Sequence, residues 1–311
     1  MSIIERSLDK LRKKTDPSSG NKPGRSEVAP VIKTSEPATS VDPIPSPNTT
    51  ATTIGAGSVS NDWGMDSSIN SIEIDVNKLR GLGMVTPDME RSKISEEYRL
   101  IKRPLLKNAF GKGATVVPNG NLIMVTSSFP GEGKTFSSIN LAMSIALEMD
   151  KTVLLVDGDV AKPSVSRVLG IKPKKGLVDY LLGEVNSLNE VLLRTNIPKL
   201  AILPSGKRHA HSTELLSSDA MKHLLHELSS RYPDRIVIFD SPPLLATSEA
   251  SVLTSQMGQL VLVVEAGKTP QEALKEALAL VDKNMIIGLI LNKSGQLFGS
   301  DYYGSYSYYG T

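Results

Sequence analysis

The sequence predicts an α/β fold in which a mostly parallel sheet is flanked by helices, and two observations carry that expectation. From about residue 120 onward, short apolar runs rich in β-branched residues alternate with amphipathic stretches of helical length. That order lays parallel strands side by side under crossover helices. The first run, LIMVT, passes directly into SFPGEGKT and then into a helical pattern. A strand, a glycine-rich loop and a helix in this succession bind nucleotide phosphates.

Before the sheet, residues 1–14 place Ile4, Leu8 and Leu11 on one helical face, with Arg6, Lys10, Arg12, Lys13 and Lys14 around the rest. Such a helix could dock on a partner or on an anionic membrane surface, and a frayed helix fits the pattern equally. Residues 15–67 are Pro, Ser, Thr, Gly and Asn with almost no apolar clustering, which predicts a disordered linker. Order is expected from about Ile72 in SIEIDVNKLRGLGMVTPD. A helix is expected from Ser92 to Lys107, broken or kinked at Pro104.

Strands are then expected at Leu122 to Thr126, Thr152 to Val156, Leu200 to Pro204, Arg235 to Asp240, Gln259 to Glu265 and Ile286 to Asn292. Helices are expected at Thr135 to Met149, Gly176 to Glu184, Ser217 to Arg231 and Pro270 to Lys283, the last with Thr269 as its N-cap and Pro270 at the first helical position. The nucleotide-binding domain thus spans residues 68–293, leaving 294–311 as a tail.

The chain has 311 residues, 40% hydrophobic and 22% charged, enough for one sizeable core plus extensions. A net charge of +2 gives no reason to propose nucleic acid as a partner. Cysteine is absent, which excludes disulfides, thiolate catalysis and cysteine-held iron–sulfur clusters. Four scattered His give no transition-metal pattern. Without an apolar run of about 18 residues or a signal-peptide core, the expected location is the cytoplasm.

The loop supplies the first chemistry. Gly131 and Gly133 let backbone amides curl around phosphates, within a segment that also holds Ser128, Pro130, Glu132 and Phe136. Lys134 would reach the β and γ oxygens, and the Thr135 hydroxyl would face Mg²⁺. Ser128 stands where the first glycine of GxxxxGK[ST] is usual. Two more apolar strands end in acid: VLLVDGD with Asp157 and Asp159, and IVIFD with Asp240. The carboxyl ends of strands line the site in such sheets, so these residues should converge on the loop. Asp240 and Asp157 suit the metal side, and Asp159 can accept a proton from an incoming hydroxyl. A lone Asp after a strand also caps helices; two such strands after one loop are a stronger pattern. Asn292, in LNKS, is similar to base-contacting Asn-Lys pairs, and a plain polar strand end fits as well.

The tail, DYYGSYSYYG, holds Tyr302, Tyr303, Tyr306, Tyr308 and Tyr309 out of eight Tyr in the chain. No core needs that composition; a disordered low-complexity segment fits it, and with the upstream nucleotide loop so do phosphate acceptors, which need the same disorder.

VLLVDGDVAKPS, FPGEGKT and IFDSPPLL resemble the three Walker motifs of the bacterial tyrosine kinases, P-loop NTPases that regulate polysaccharide synthesis and export. The segments SIIERSLDKLR, VNKLRGLGMVTPD and SEEYRLIKRPLL and the Tyr tail resemble the exosortase-associated autokinase branch. The resemblance runs from about Ile72 to Thr311, plus the first helix. It implies ATP and Mg²⁺ as cofactors, Lys134 as the phosphate-binding lysine, Thr135, Asp157 and Asp240 beside the metal, and Asp159 as the catalytic carboxylate. It also implies an ExxRxxR oligomerisation motif at Glu96, Arg99 and Lys102, where Lys replaces the second Arg. Its spacing puts the three on one helical face, open to a neighbouring subunit. Further implications are a homo-oligomer with a ring as one form, a membrane chain-length protein as activator holding the kinase at the inner membrane, and a cognate tyrosine phosphatase. Two other readings remain at this stage, a partitioning-type ATPase and a nucleotide-binding scaffold phosphorylated by another kinase. The loop lacks the extra lysine usual in the former.

Overall fold

In the computed structural model, residues 70–88, 92–111, 117–232 and 234–294 are described. The N-terminal helix, the linker and the five tail tyrosines lie outside them.

The elements in chain order are β1 (Asn70–Ile72), α1 (Val76–Gly81), α2 (Lys93–Phe110), β2 (Leu122–Ser127), α3 (Lys134–Ala146), β3 (Thr152–Asp157), α4 (Val165–Leu169), α5 (Leu177–Leu181), β4 (Leu193–Thr195), β5 (Leu200–Leu203), α6 (Ser212–Leu216), α7 (Asp219–Ser230), β6 (Arg235–Asp240), α8 (Ser248–Thr254), β7 (Gln259–Glu265), α9 (Gln271–Ala279) and β8 (Ile286–Asn292). A 3₁₀ turn, Leu188–Glu190, precedes β4. The strands form one sheet in the order β1-β4-β5-β3-β6-β2-β7-β8. Its pairs are parallel except β4 with β5.

The central strands are buried on both faces, which is why they read as unbroken apolar runs. Alternate residues feed two cores. Leu122, Met124, Leu154, Val156, Val237 and Phe239 pack on Leu224, Leu225 and Leu228 of α7. Ile123, Val125, Val153, Leu155, Ile236 and Ile238 pack on Ile139, Leu141, Met143 and Ile145 of α3, with Tyr98 and Leu105 of α2 outside. Each such side chain contributes about 1.5 to 3 kcal/mol by leaving water.

Several expectations are corrected. Of the break or kink expected at Pro104, the break is absent: α2 runs through it as a single helix. The carbonyl that Pro104 leaves without its helical donor belongs to exposed Leu100, where water can serve, while Tyr98 and Leu105 hold the helix on the core. α9 is capped by Pro270 in extended conformation, not by Thr269, because the Thr269 hydroxyl is engaged with Glu132 and the Glu265 N–H. α3 stops at Ala146 rather than Met149. There Lys199 Nζ donates to the carbonyls of Glu148 (2.5 Å) and Met149 (3.1 Å). The three-residue strands β1 and β4 are too short to show alternation and were not expected. Among the described residues no helix is long and apolar enough to cross a membrane.

Candidate active site

β2 lies between β6 and β7, so the loop that follows it emerges next to the carboxyl end of β6. Asp157 and Asp240 are direct partners in the β3–β6 register. The sheet therefore delivers both carboxylates to one level beside the phosphate loop. Gly131 (φ 91°) and Gly133 (φ 102°) occupy left-handed conformations, which side chains resist. A Cβ on Gly133 would also lie 2.0 Å from Asn292 Nδ2. α3 then starts at Lys134, aiming its free N–H groups and positive end at the loop.

Lys134 Nζ donates to Asp159 Oδ2 at 2.8 Å and lies 4.0 Å from Asp240 Oδ1. Asp240 also accepts from Thr135 Oγ1 (2.7 Å) and Ser138 Oγ (3.1 Å). Asp159 Oδ1 accepts the Lys162 N–H at 3.0 Å. Asp157 Oδ2 accepts the Val165 N–H at 3.1 Å, while its buried Oδ1 has no hydrogen-bond partner. Ser138 escaped the sequence reading. Its signal was a small polar residue one turn after Lys134 on a helix that is otherwise buried.

Burial, reinforced by the charge of Asp240, pushes the Asp157 carboxyl up to about 8. Burial also raises Asp240, against the opposing pull of Lys134. For Lys134, burial acts downward, but the charges of Asp240 and Asp159 outweigh it and hold its pKa above the ordinary value.

Pro130, Gly131, Gly133, Lys134, Thr135, Phe136 and Asp159 line one cleft of about 540 Å³, together with Lys162, Arg167, Pro242 and Pro243. Asp157 and Asp240 are fully buried beside it. Ser128 is buried, and its Oγ has no hydrogen-bond partner. Glu132 turns its side chain away from the cleft to accept the Phe129 N–H at 2.8 Å. Asn292 donates through Nδ2 to the Glu132 carbonyl at 2.8 Å. It faces a neighbouring groove that it shares with Phe136, Tyr98 and Lys293.

The expected face of Glu96, Arg99 and Lys102 is divided. Glu96 and Arg99 pair with each other on the exposed side of α2. Lys102 instead turns inward and is 4% exposed, donating to the Ser144 carbonyl at 2.5 Å and pairing with Glu148 at 2.6 Å. It follows Tyr98 by four residues, and that row is the one buried against α3.

A phosphate loop, a lysine and strand-end carboxylates on a mostly parallel sheet define a P-loop nucleotide-binding protein. Residues 120–285 match the family model described as AAA domain. The tyrosine-protein kinase YwqD of Bacillus subtilis is 36% identical over 220 residues, covering 70% of this chain and 86% of YwqD. The kinase domain of the Escherichia coli tyrosine kinase ETK superposes with a TM-score of 0.56 at 28% identity, over 66% of this chain and 77% of that one. The succinoglycan biosynthesis transport protein ExoP of Rhizobium meliloti is 30% identical over 227 residues, covering 71% of this chain and 27% of ExoP. The chain belongs to the bacterial tyrosine-protein kinase family.

Proposed function

We propose that this chain transfers the γ-phosphoryl group of ATP to tyrosines of its own C-terminal segment, Tyr302, Tyr303, Tyr306, Tyr308 and Tyr309, mainly between subunits. The observation that carries this reading is the Lys134–Asp159 pair at 2.8 Å. It supports the reading because a cation that would bind phosphate and a carboxylate that would accept the proton line one cleft. The tyrosine oxygen would form the new bond to phosphorus as the bond to the ADP oxygen breaks, and the phenolic proton would pass to Asp159. Lys134 and the loop amides would stabilise charge on the transferred group.

The residues present fit Mg²⁺. The donors are hard oxygens from Thr135, Asp240 and Asp157, and the buried Asp157 Oδ1 lacks a partner. Bound there with ATP, the ion would neutralise phosphate charge.

The tail follows β8, whose last residue Asn292 is bonded to the phosphate loop. From Lys293 to Tyr309 it could extend about 50 Å, enough to reach a neighbour's cleft. The preference for transfer between subunits comes from the family resemblance. Five phosphates would add roughly eight to ten negative charges, enough to oppose a closed oligomer. We assign the kinase to control of exopolysaccharide synthesis, chain length or export, and the naming of ExoP supports this role. In that role it would be cytoplasmic, held at the inner membrane by a chain-length-determinant type activator and reset by a tyrosine phosphatase.

The test is phosphotyrosine mapping by mass spectrometry after incubation with ATP and Mg²⁺, alone and with a membrane activator. Lys134→Met and Asp159→Asn proteins, and a mixture of wild type with Lys134→Met, complete the set. Tail phosphate on the wild type, appearing on Lys134→Met only in the mixture, is expected. ATP hydrolysis without phosphotyrosine, even with the activator present, would instead indicate a partitioning-type ATPase.

A further inference from the structure

Glu132 is a carboxylate inside a loop built to bind anions, and its placement calls for a cause. It is 3% exposed, and both of its oxygens are engaged. Oε2 accepts the Phe129 N–H at 2.8 Å, and Oε1 accepts the hydroxyl of Thr269, which lies in the connection between β7 and α9. Thr269 Oγ1 is itself fixed by the Glu265 N–H at 3.2 Å. Two further tethers reach the same loop from the end of β8: Asn292 Nδ2 to the Glu132 carbonyl (2.8 Å) and Lys293 Nζ to the Gly131 carbonyl (2.7 Å). Lys293 Nζ also lies 3.2 Å from Glu265 Oε2. The side chain of Glu132 is absent from the cleft lined by its neighbours Gly131 and Gly133.

We infer that Thr269 is a positioning residue for ATP: its hydroxyl clasps Glu132, fixes the phosphate loop and keeps the Glu132 charge away from the bound triphosphate. The inference rests on the reading that this loop binds ATP. A buried carboxylate deprived of its donor must find another or move toward water. Its neighbours Gly131 and Gly133 line the cleft, where a negative charge swung inward would repel phosphate.

Thr269→Val, nearly isosteric, removes the hydroxyl alone. MgATP affinity measured by calorimetry should fall by roughly tenfold or more, tenfold being about the lower bound for one hydrogen bond to a charged group. Thr269→Ser should restore it. Glu132→Gln accepts the Phe129 N–H without carrying charge, so the double variant Glu132→Gln/Thr269→Val should bind MgATP more tightly than Thr269→Val alone. Unchanged affinity in Thr269→Val, whether or not its melting temperature falls, overturns the inference. So does a double variant as weak as Thr269→Val. Binding is read without phosphoryl transfer, so a wild type that binds MgATP but makes no phosphotyrosine even with the membrane activator present defeats the kinase reading and leaves the clasp to be judged by its own variants.

Discussion

Replacing Lys102 with Met separates two roles for that residue. The ammonium group donates to the Ser144 carbonyl at 2.5 Å and pairs with Glu148 at 2.6 Å, tying α2 to the C-terminal end of α3. Met keeps the apolar stem and removes the charge. A hydrogen bond to a charged group is worth about 1.5 to 3 kcal/mol. The Glu148 side chain is 37% exposed, so water recovers much of its stranded charge and the ion pair adds under about 1 kcal/mol. A loss of about 2 kcal/mol follows, lowering the melting temperature by about 4 to 8 °C for a domain of this size. Differential scanning calorimetry reads that shift, and sedimentation velocity of the same sample reads assembly. A normal melting temperature combined with lost assembly would refute the inward placement, because it would mean that Lys102 serves a neighbouring subunit.

Two glycine substitutions should differ in severity. Gly131→Ala meets no atom within 4 Å, so it bears left-handed strain of about 1 to 2 kcal/mol alone. Gly133→Ala adds a Cβ 2.0 Å from Asn292 Nδ2 and should lose MgATP binding in calorimetry, whereas Gly131→Ala only weakens it. In metal-free protein, the Asp157 carboxyl is pushed up to about 8 from about 3.9 when unfolded. The native state then binds the extra proton between these values, so stability should decline as pH rises from about 4 to 8. Urea titrations in chelator should show that slope, flattened in Asp157→Asn.

The strands and the phosphate loop were legible because each is a local pattern. Arg235–Asp240, Gln259–Glu265 and Ile286–Asn292 match the expected limits; the first two are buried apolar runs with polar ends, whereas the edge strand Ile286–Asn292 carries the same apolar run although Leu289 and Leu291 are exposed. Convergence of Asp157, Asp159 and Asp240 followed from strand polarity, a rule of the fold. What failed depends on tertiary contact. Spacing places Lys102 in a row with Arg99 and Glu96, but the sequence does not reveal that α3 closes over the far end of that row. Thr269 before a proline reads as a cap, yet its hydroxyl is captured by Glu132, 137 positions earlier. Ser138 contacts Asp240 across more than 100 residues, beyond any helical periodicity.

The charges of the site support the proposal that it takes a cation as well as phosphate. Asp157, Asp159 and Asp240 meet one ammonium group, Lys134, and all four are at least nine-tenths buried. With every carboxylate ionised the cluster would carry two uncompensated negative charges, a costly state out of water. The fold reduces this cost unevenly. Asp240 receives two hydroxyls and shares Lys134 with Asp159, whereas Asp157 has one backbone donor and an oxygen with none. Asp157, pushed up to about 8, therefore favours its protonated form at neutral pH when no cation is near. Were Asp157, Asp240 and Thr135 to hold a divalent ion, its charge would balance the cluster; Asp157 would then give up its proton, and Lys134 could leave Asp159 for the phosphates. Asp159 would then be free of its ion pair when a hydroxyl enters, with only the Lys162 N–H on its other oxygen. On this argument Asp157→Asn should weaken the magnesium dependence of ATP binding more than it weakens binding itself, whereas Asp159→Asn should leave both nearly intact and abolish transfer. MgATP calorimetry across a magnesium series, beside phosphotyrosine yield, distinguishes the two; an Asp159→Asn protein that still phosphorylates its tail would refute the division of roles.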